Sequence, residues 1–134
     1  MKEPRWLKDS VALAIHRRQL AEHGGLDGVR DPGMLESALP RPKNLFAYST
    51  PKPDAAALAA AYAFGIIRNH PFVDGNKRTA YVLCRTFLKL NGVDIDAPEA
   101  EKYLTFVAVA DGSLNEEGLV DWIRAHEVKA PPKR

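Results

Sequence analysis

The stretch DAAALAAAYAFGIIRNHPFVDGNKRTAYVLCRTFLKLNG, Asp54 to Gly92, decides the fold. From Ala55 to about Asn69 it is apolar on nearly every side, which marks a helix buried at the centre of a domain, and Asp54 stands where it can cap that helix. From about Asn76 to Leu90 the residues Ala80, Leu83, Cys84, Phe87 and Leu88 follow i, i+3, i+4, i+7, i+8 spacing, a core-facing stripe on a second helix. Asn91-Gly92 ends that helix. Cys84, inside the stripe, reads as a small buried hydrophobe.

Between the two helices lies His70-Pro71-Phe72-Val73-Asp74-Gly75-Asn76-Lys77-Arg78, where a base, a carboxylate, an amide-rich turn and two cations fall within one loop and one helical turn. Pro71 cannot continue the first helix and disfavours helical backbone at His70, so the loop begins there. An imidazole titrates near pH ~6.5 and can take a proton from a hydroxyl at neutral pH. Phe72 is expected to point into the core and anchor the loop. Asp74 is a hard oxygen ligand, and one carboxylate plus nucleotide phosphates is a usual way to hold Mg²⁺. Gly75 lets backbone approach a ligand closely.

Asn76 opens the second helix, where unpaired N–H groups and the dipole favour an anion. Arg78 adds a forked donor matched to phosphate oxygens, and Lys77 a compact second charge. Cations at a helix N-terminus oppose its dipole by about 0.3–1 kcal/mol, a cost that a bound anion offsets. Alone, His before Pro is a helix end, Asp-Gly-Asn a turn and Lys-Arg a solvated face. Together, in this order, they point to a phosphate-handling site with His70, Asp74 and Arg78 as catalytic candidates and Gly75, Asn76, Lys77 and Arg78 as phosphate-binding ones.

Outward from this stretch the pattern stays helical. A first helix is expected from about Lys8 to Glu22, stopping at Gly24-Gly25, and a short one from Asp31-Pro32 to about Leu39. Arg41 to Pro53, with Pro42, Asn44, Pro51 and Pro53, reads as a loop whose Phe46 and Tyr48 cover the core edge. Arg68 either meets phosphate or target, or complements its helix C-terminus. A helix from about Pro98 to Ala110 presents Ala100, Tyr103, Leu104, Val107 and Ala108 as its core stripe. A last one, about Leu114 to Glu127, starts with the capping box Ser113-x-x-Glu116. No strand is expected. The fold class is therefore all-α, a single-domain bundle of about six helices with a buried central helix and a phosphate-binding loop at the N-terminus of the next. The domain is expected over residues 1–128, with 129–134 a disordered tail.

The 134 residues suffice for one core, 46% of them are hydrophobic, and the net charge of +2 is close to neutral. The basic residues are scattered without interleaved aromatics, so direct nucleic-acid binding is not expected. One cysteine excludes an internal disulfide and any thiolate cluster. No signal peptide is visible, and the longest apolar run, Ala55 to Ile67, falls short of the roughly 20 residues that span a bilayer. A cytoplasmic location without membrane contact is expected.

HPFVDGNKR resembles the signature of the Fic/Doc family, His-x-Phe-x-(Asp/Glu)-(Gly/Ala)-Asn-(Gly/Lys)-Arg. His23-Gly24-Gly25, Gly28-Val29-Arg30-Asp31, Leu35-Glu36-Ser37-Ala38 and Asn91-Gly92 resemble its death-on-curing (Doc) branch, the toxins of type II toxin–antitoxin pairs, over about residues 10 to 125. Family members that transfer AMP usually carry Gly where this chain has Lys77, whereas Doc-like members carry Lys. The resemblance therefore implies a protein Ser/Thr kinase using ATP and Mg²⁺, with Asp74 at the metal and His70 as base. It implies translation elongation factor Tu as target, with arrest of translation and growth, and a Phd-like antitoxin whose disordered C-terminal segment folds onto the toxin. AMP transfer by the same residues and a non-catalytic antitoxin-binding module remain alternatives. Ser113 to Gly118 also matches a short string by which self-inhibited family members block their nucleotide site with a Glu on the motif's last Arg. The string is short and degenerate, a helix cap already explains Ser113, and in the Doc branch the block comes instead from a separate antitoxin. In many Fic-like folds the segment ahead of the motif helices helps dock the target, which makes Phe46 and Tyr48 candidate contacts.

Overall fold

The computed structural model describes residues 3–130. The helices are α1 (Asp9–His23), α2 (Pro32–Ala38), α3 (Arg41–Tyr48), α4 (Ala55–Asn69), α5 (Asn76–Leu90), α6 (Glu99–Asp111) and α7 (Glu116–His126), with short strands β1 (Val93–Ile95) and β2 (Glu127–Lys129). The all-α bundle expected from the sequence is the architecture found. Among the described residues no helix is long and apolar enough to cross a membrane.

The centre is α4, where Ala56, Leu58, Ala59, Ala60, Ala61, Tyr62, Ala63, Gly65 and Ile66 are buried. Small side chains all round let α2, α3, α5 and α7 pack against it at once. The Asp54 carboxylate caps it by accepting from Ala57 N–H at 3.0 Å. The whole predicted stripe of α5, from Ala80 to Leu88, is buried, each large side chain contributing about 1.5–3 kcal/mol. Burial pushes the Cys84 thiol up to about 12, so it behaves as the inert hydrophobe expected. Asn91 ties the end of α5 to the N-terminal segment, accepting from Arg5 N–H at 2.8 Å and donating to Arg5 C=O at 3.0 Å.

Several expectations need correction. Arg41 to Tyr48 is a helix, not a loop, because Pro42 lies in its first turn, where an N–H has no intrahelical partner to lose. Strands exist: β1 pairs antiparallel with β2, Val93 opposite Lys129 and Ile95 opposite Glu127. Regular structure thus runs through Lys129, one residue past the boundary read at 128, while Pro131–Arg134 lie outside the described residues. The cap of α7 is Asn115, which accepts from Gly118 N–H at 2.8 Å, rather than Ser113. On α6 the buried residues are Lys102, Thr105, Phe106 and Val109, whereas Tyr103 and Leu104 are exposed. The helix is rotated away from the stripe read off its sequence, because Phe106 inserts edge-on against Tyr81 of α5 at 5.1 Å.

Candidate functional site

The C-terminus of α4 and the N-terminus of α5 meet at the segment His70 to Gly75. His70 ends α4 in left-handed backbone (φ 47, ψ 54), a non-glycine outlier costing on the order of 1 kcal/mol. Pro71 disfavours continuing the helix, and the chain leaves α4 through this left-handed cap, whose N–H still donates to Ile66 C=O. His70 itself is exposed, whereas Pro71 and Phe72 are buried.

A second segment clamps this loop from outside. Val73 N–H donates to Gly28 C=O at 3.0 Å, and the N–H groups of Arg30 and Asp31 both donate to Pro71 C=O, at 2.7 and 3.0 Å. The Arg30 guanidinium donates to His70 C=O at 2.7 Å and Asn69 C=O at 3.0 Å, capping the last carbonyls of α4 with a cation. Asp31 caps α2 by accepting from Met34 N–H at 3.2 Å, as its sequence position implied.

From inside, the loop is fixed by α1. The His16 ring stacks on Phe72 with centroids 3.7 Å apart and planes 8° from parallel. Its Nε2 lies 2.9 Å from Asp74 C=O, and because a carbonyl only accepts, Nε2 carries the hydrogen. Asn76 closes the loop, accepting from Phe72 N–H at 3.1 Å and donating to Phe72 C=O at 3.0 Å. Its amide side chain is therefore committed to the loop, which leaves its backbone N–H for a ligand.

The Asp74 carboxylate accepts from Gly75 N–H at 2.9 Å and Leu26 N–H at 3.3 Å. A Cβ on Gly25 would sit 2.9 Å from Asp74 Oδ2, so only glycine lets that backbone approach the carboxylate. Gly75 caps α5 with φ 77 and has no side chain to offer the helix. Lys77 and Arg78 are exposed, take part in no ion pair among the described residues, and stand against the dipole.

These groups open onto one cleft of about 1070 Å³, lined by His70, Asp74, Gly75, Asn76, Lys77 and Arg78 together with residues of α1 and α6. All six sequence candidates thus share one cavity. The α1 wall supplies Gln19, which is nine-tenths buried and whose side chain makes no hydrogen bond among the described residues. The α6 wall supplies Lys102, whose ammonium is buried 3.0 Å from Glu99 and whose pKa that partner holds above the ordinary lysine range. The hydroxyl of Tyr81, a cleft-lining residue of α5, is buried without a hydrogen-bond partner among the described residues.

Sequence reasoning missed His16, Gln19, Arg30 and Lys102 as site neighbours. The available signal was a polar residue at a buried helical spacing: Ala12, His16 and Gln19 form the buried face of α1. Arg68 does not line the cleft and lies over the Phe64 ring at 5.4 Å. Phe46 packs edge-on against Trp6 at 5.8 Å, so it covers the core edge, while Tyr48 is exposed. No residue from Ser113 to Gly118 lines the cleft, and Glu116 pairs with Arg41 at 2.6 Å.

The Fic/DOC family model matches residues 6–88. A protein named protein kinase doc, from Escherichia phage P1, is 34% identical over 121 residues, covering 90% of this chain and 94% of that protein. A protein named toxin Doc, from Mycolicibacterium smegmatis, is 41% identical over 96 residues, covering 69% of this chain and 74% of that protein.

Proposed function

The chain belongs to the Fic/DOC family, in its Doc branch, and from this we propose that it is the toxin of a type II toxin–antitoxin pair and a protein kinase. The reaction proposed moves the γ-phosphate of ATP to a Ser or Thr hydroxyl of a target protein. The observation that carries it is the cleft itself, where an exposed imidazole, a carboxylate and two cations without ion-pair partners among the described residues border the start of α5. The name of the phage relative supports kinase chemistry over its alternatives.

His70 accepts the hydroxyl proton as the target oxygen bonds to the γ-phosphorus. The bond from that phosphorus to its bridging oxygen breaks, and ADP leaves. Lys77, Arg78 and the first N–H groups of α5 neutralise charge as it spreads over the transferring group, so the rate comes from positioning and electrostatics. Among the described residues no three His, Cys, Asp or Glu side chains are grouped to cage a metal. The exposed Asp74 carboxylate instead fits a magnesium ion held by one protein oxygen and the substrate's phosphates. Such an ion, when bound, neutralises phosphate charge.

By resemblance the target is translation elongation factor Tu in the cytoplasm, and a Phd-like antitoxin supplies the block. The test is transfer to that factor from ATP labelled at either the γ- or the α-phosphate, with magnesium present. Label from the γ position alone is expected. Label from the α position alone would mean AMP transfer and end the kinase reading.

A further inference from the structure

We infer that Arg30 is a positioning residue that sets the aim of the His70 imidazole. This rests on the reading of His70 as the base. Three observations carry it. First, His70 is exposed and its ring has no hydrogen-bonding neighbour among the described residues, so the described residues act on it through its backbone, which sets the direction in which its side chain leaves the chain. Second, that backbone is left-handed at φ 47, a sparsely populated conformation for a residue with a side chain, so contacts around it matter to keeping it there. Third, Arg30 holds the carbonyls around this residue: Nε donates to His70 C=O at 2.7 Å, Nη2 to Asn69 C=O at 3.0 Å, and its own N–H to Pro71 C=O at 2.7 Å.

One residue therefore grips three consecutive carbonyls, those immediately before, at and after the base. Two of these bonds need the planar fork of a guanidinium, whose donors reach two carbonyls at once where an ammonium offers a point charge. The third needs only the backbone and survives substitution. Removal of the guanidinium thus leaves the 28–31 clamp in place but frees the peptide that carries His70. The cation also answers the partial negative charge at the end of α4, so the same contact stabilises the helix end and orients the ring.

The experiment compares Arg30→Met, Arg30→Lys, His70→Ala and the double variant Arg30→Met/His70→Ala, scoring γ-phosphate transfer with kcat and the KM for Mg-ATP read separately. Arg30→Met is expected to lower kcat by about 10²-fold, the cost of a misplaced catalytic group. Its KM for ATP is expected to stay within about twofold, because the phosphate-binding residues are untouched. Arg30→Lys is expected to recover part of the loss. In the His70→Ala background Arg30→Met is expected to remove nothing further, since a residue acting through His70 has nothing left to orient.

A wild-type kcat in Arg30→Met, a loss confined to KM, or equal losses in both backgrounds would overturn the inference. If Arg30→Met does not fold, Arg30→Lys decides: lowered kcat at unchanged melting temperature supports the role, and unchanged kcat removes it. If His70→Ala retains full transfer, the base assignment falls and this inference with it. If His70→Ala is inactive while Arg30→Met is fully active, only the inference falls.

Discussion

The junction between α6 and α7 turns on Gly112, which adopts left-handed backbone (φ 86) at no steric cost, and on Asn115, whose side chain accepts from Gly118 N–H at 2.8 Å. Glu116 and Glu117 occupy the first turn of α7, where negative charge suits the dipole. The junction between α4 and α5 performs the same turn with each of these choices reversed. The left-handed residue that ends its first helix is His70 rather than glycine, the cap of its second helix is Gly75 with no side-chain acceptor, and the first turn of that helix carries Lys77 and Arg78. One junction satisfies itself. The other leaves positive charge and unpaired donors facing a cleft, which lowers its own stability and suits an anion.

This contrast breaks first at His70. His70→Ala is expected to lower phosphate transfer by about 10²–10⁴-fold with the fold retained, measured by label transfer and circular dichroism. A rate unchanged by that substitution would reduce the reactive junction to an ordinary turn.

Next come the two asparagines. Asn76→Ala leaves the buried Phe72 N–H and C=O unpaired and is expected to cost about 1–3 kcal/mol in urea denaturation, with activity lost as the loop loosens. Asn115→Ala is expected to cost about 1 kcal/mol and to leave transfer unchanged, because it only caps a helix.

Lys77→Glu sharpens the comparison by making the α5 junction resemble that of α7. It is expected to raise stability by about 0.3–1 kcal/mol while weakening Mg-ATP binding, read by denaturation and calorimetry on the same protein. If both properties fall together, the claim that this turn trades stability for anion binding fails.

The smallest effect expected lies away from either junction. The Arg85 guanidinium, 2.8 Å from Asp94, holds that carboxyl below its usual range. A depressed folded-state pKa contributes stability above the unfolded value, about 3.9, and that stability is lost as pH falls through the lower folded value. Arg85→Met should therefore cost about 1 kcal/mol or less at pH ~7, with the difference from wild type closing in strong acid.

Much of this was legible in one dimension because it depends on neighbours in sequence. The ends of α4 and α5, the caps Asp31 and Asp54, the inward Phe72 and the stripe of α5 follow from short-range rules. The failures share one cause. Arg41 to Tyr48 contains a proline, Pro42, that suits a first helical turn as well as a loop, and packing against α4 decided between them. The apolar spacing of α6 admitted more than one face, and the Tyr81 ring selected the one bearing Phe106. Residues Val93–Ile95 and Glu127–Lys129 become strands only because each finds the other.

For the site, the sequence alone determined which groups stand within a few residues of each other: His70, Asp74, Gly75, Asn76, Lys77 and Arg78. Connectivity and helix geometry carry that information, since proline, glycine and helix ends act over one or two turns. Tertiary structure alone decided how those groups are held. His16 lies 58 residues from the Asp74 carbonyl it supports, and Arg30 lies 40 from the His70 carbonyl it grips. Contacts at such separations depend on how helices pack, and local spacing does not encode packing.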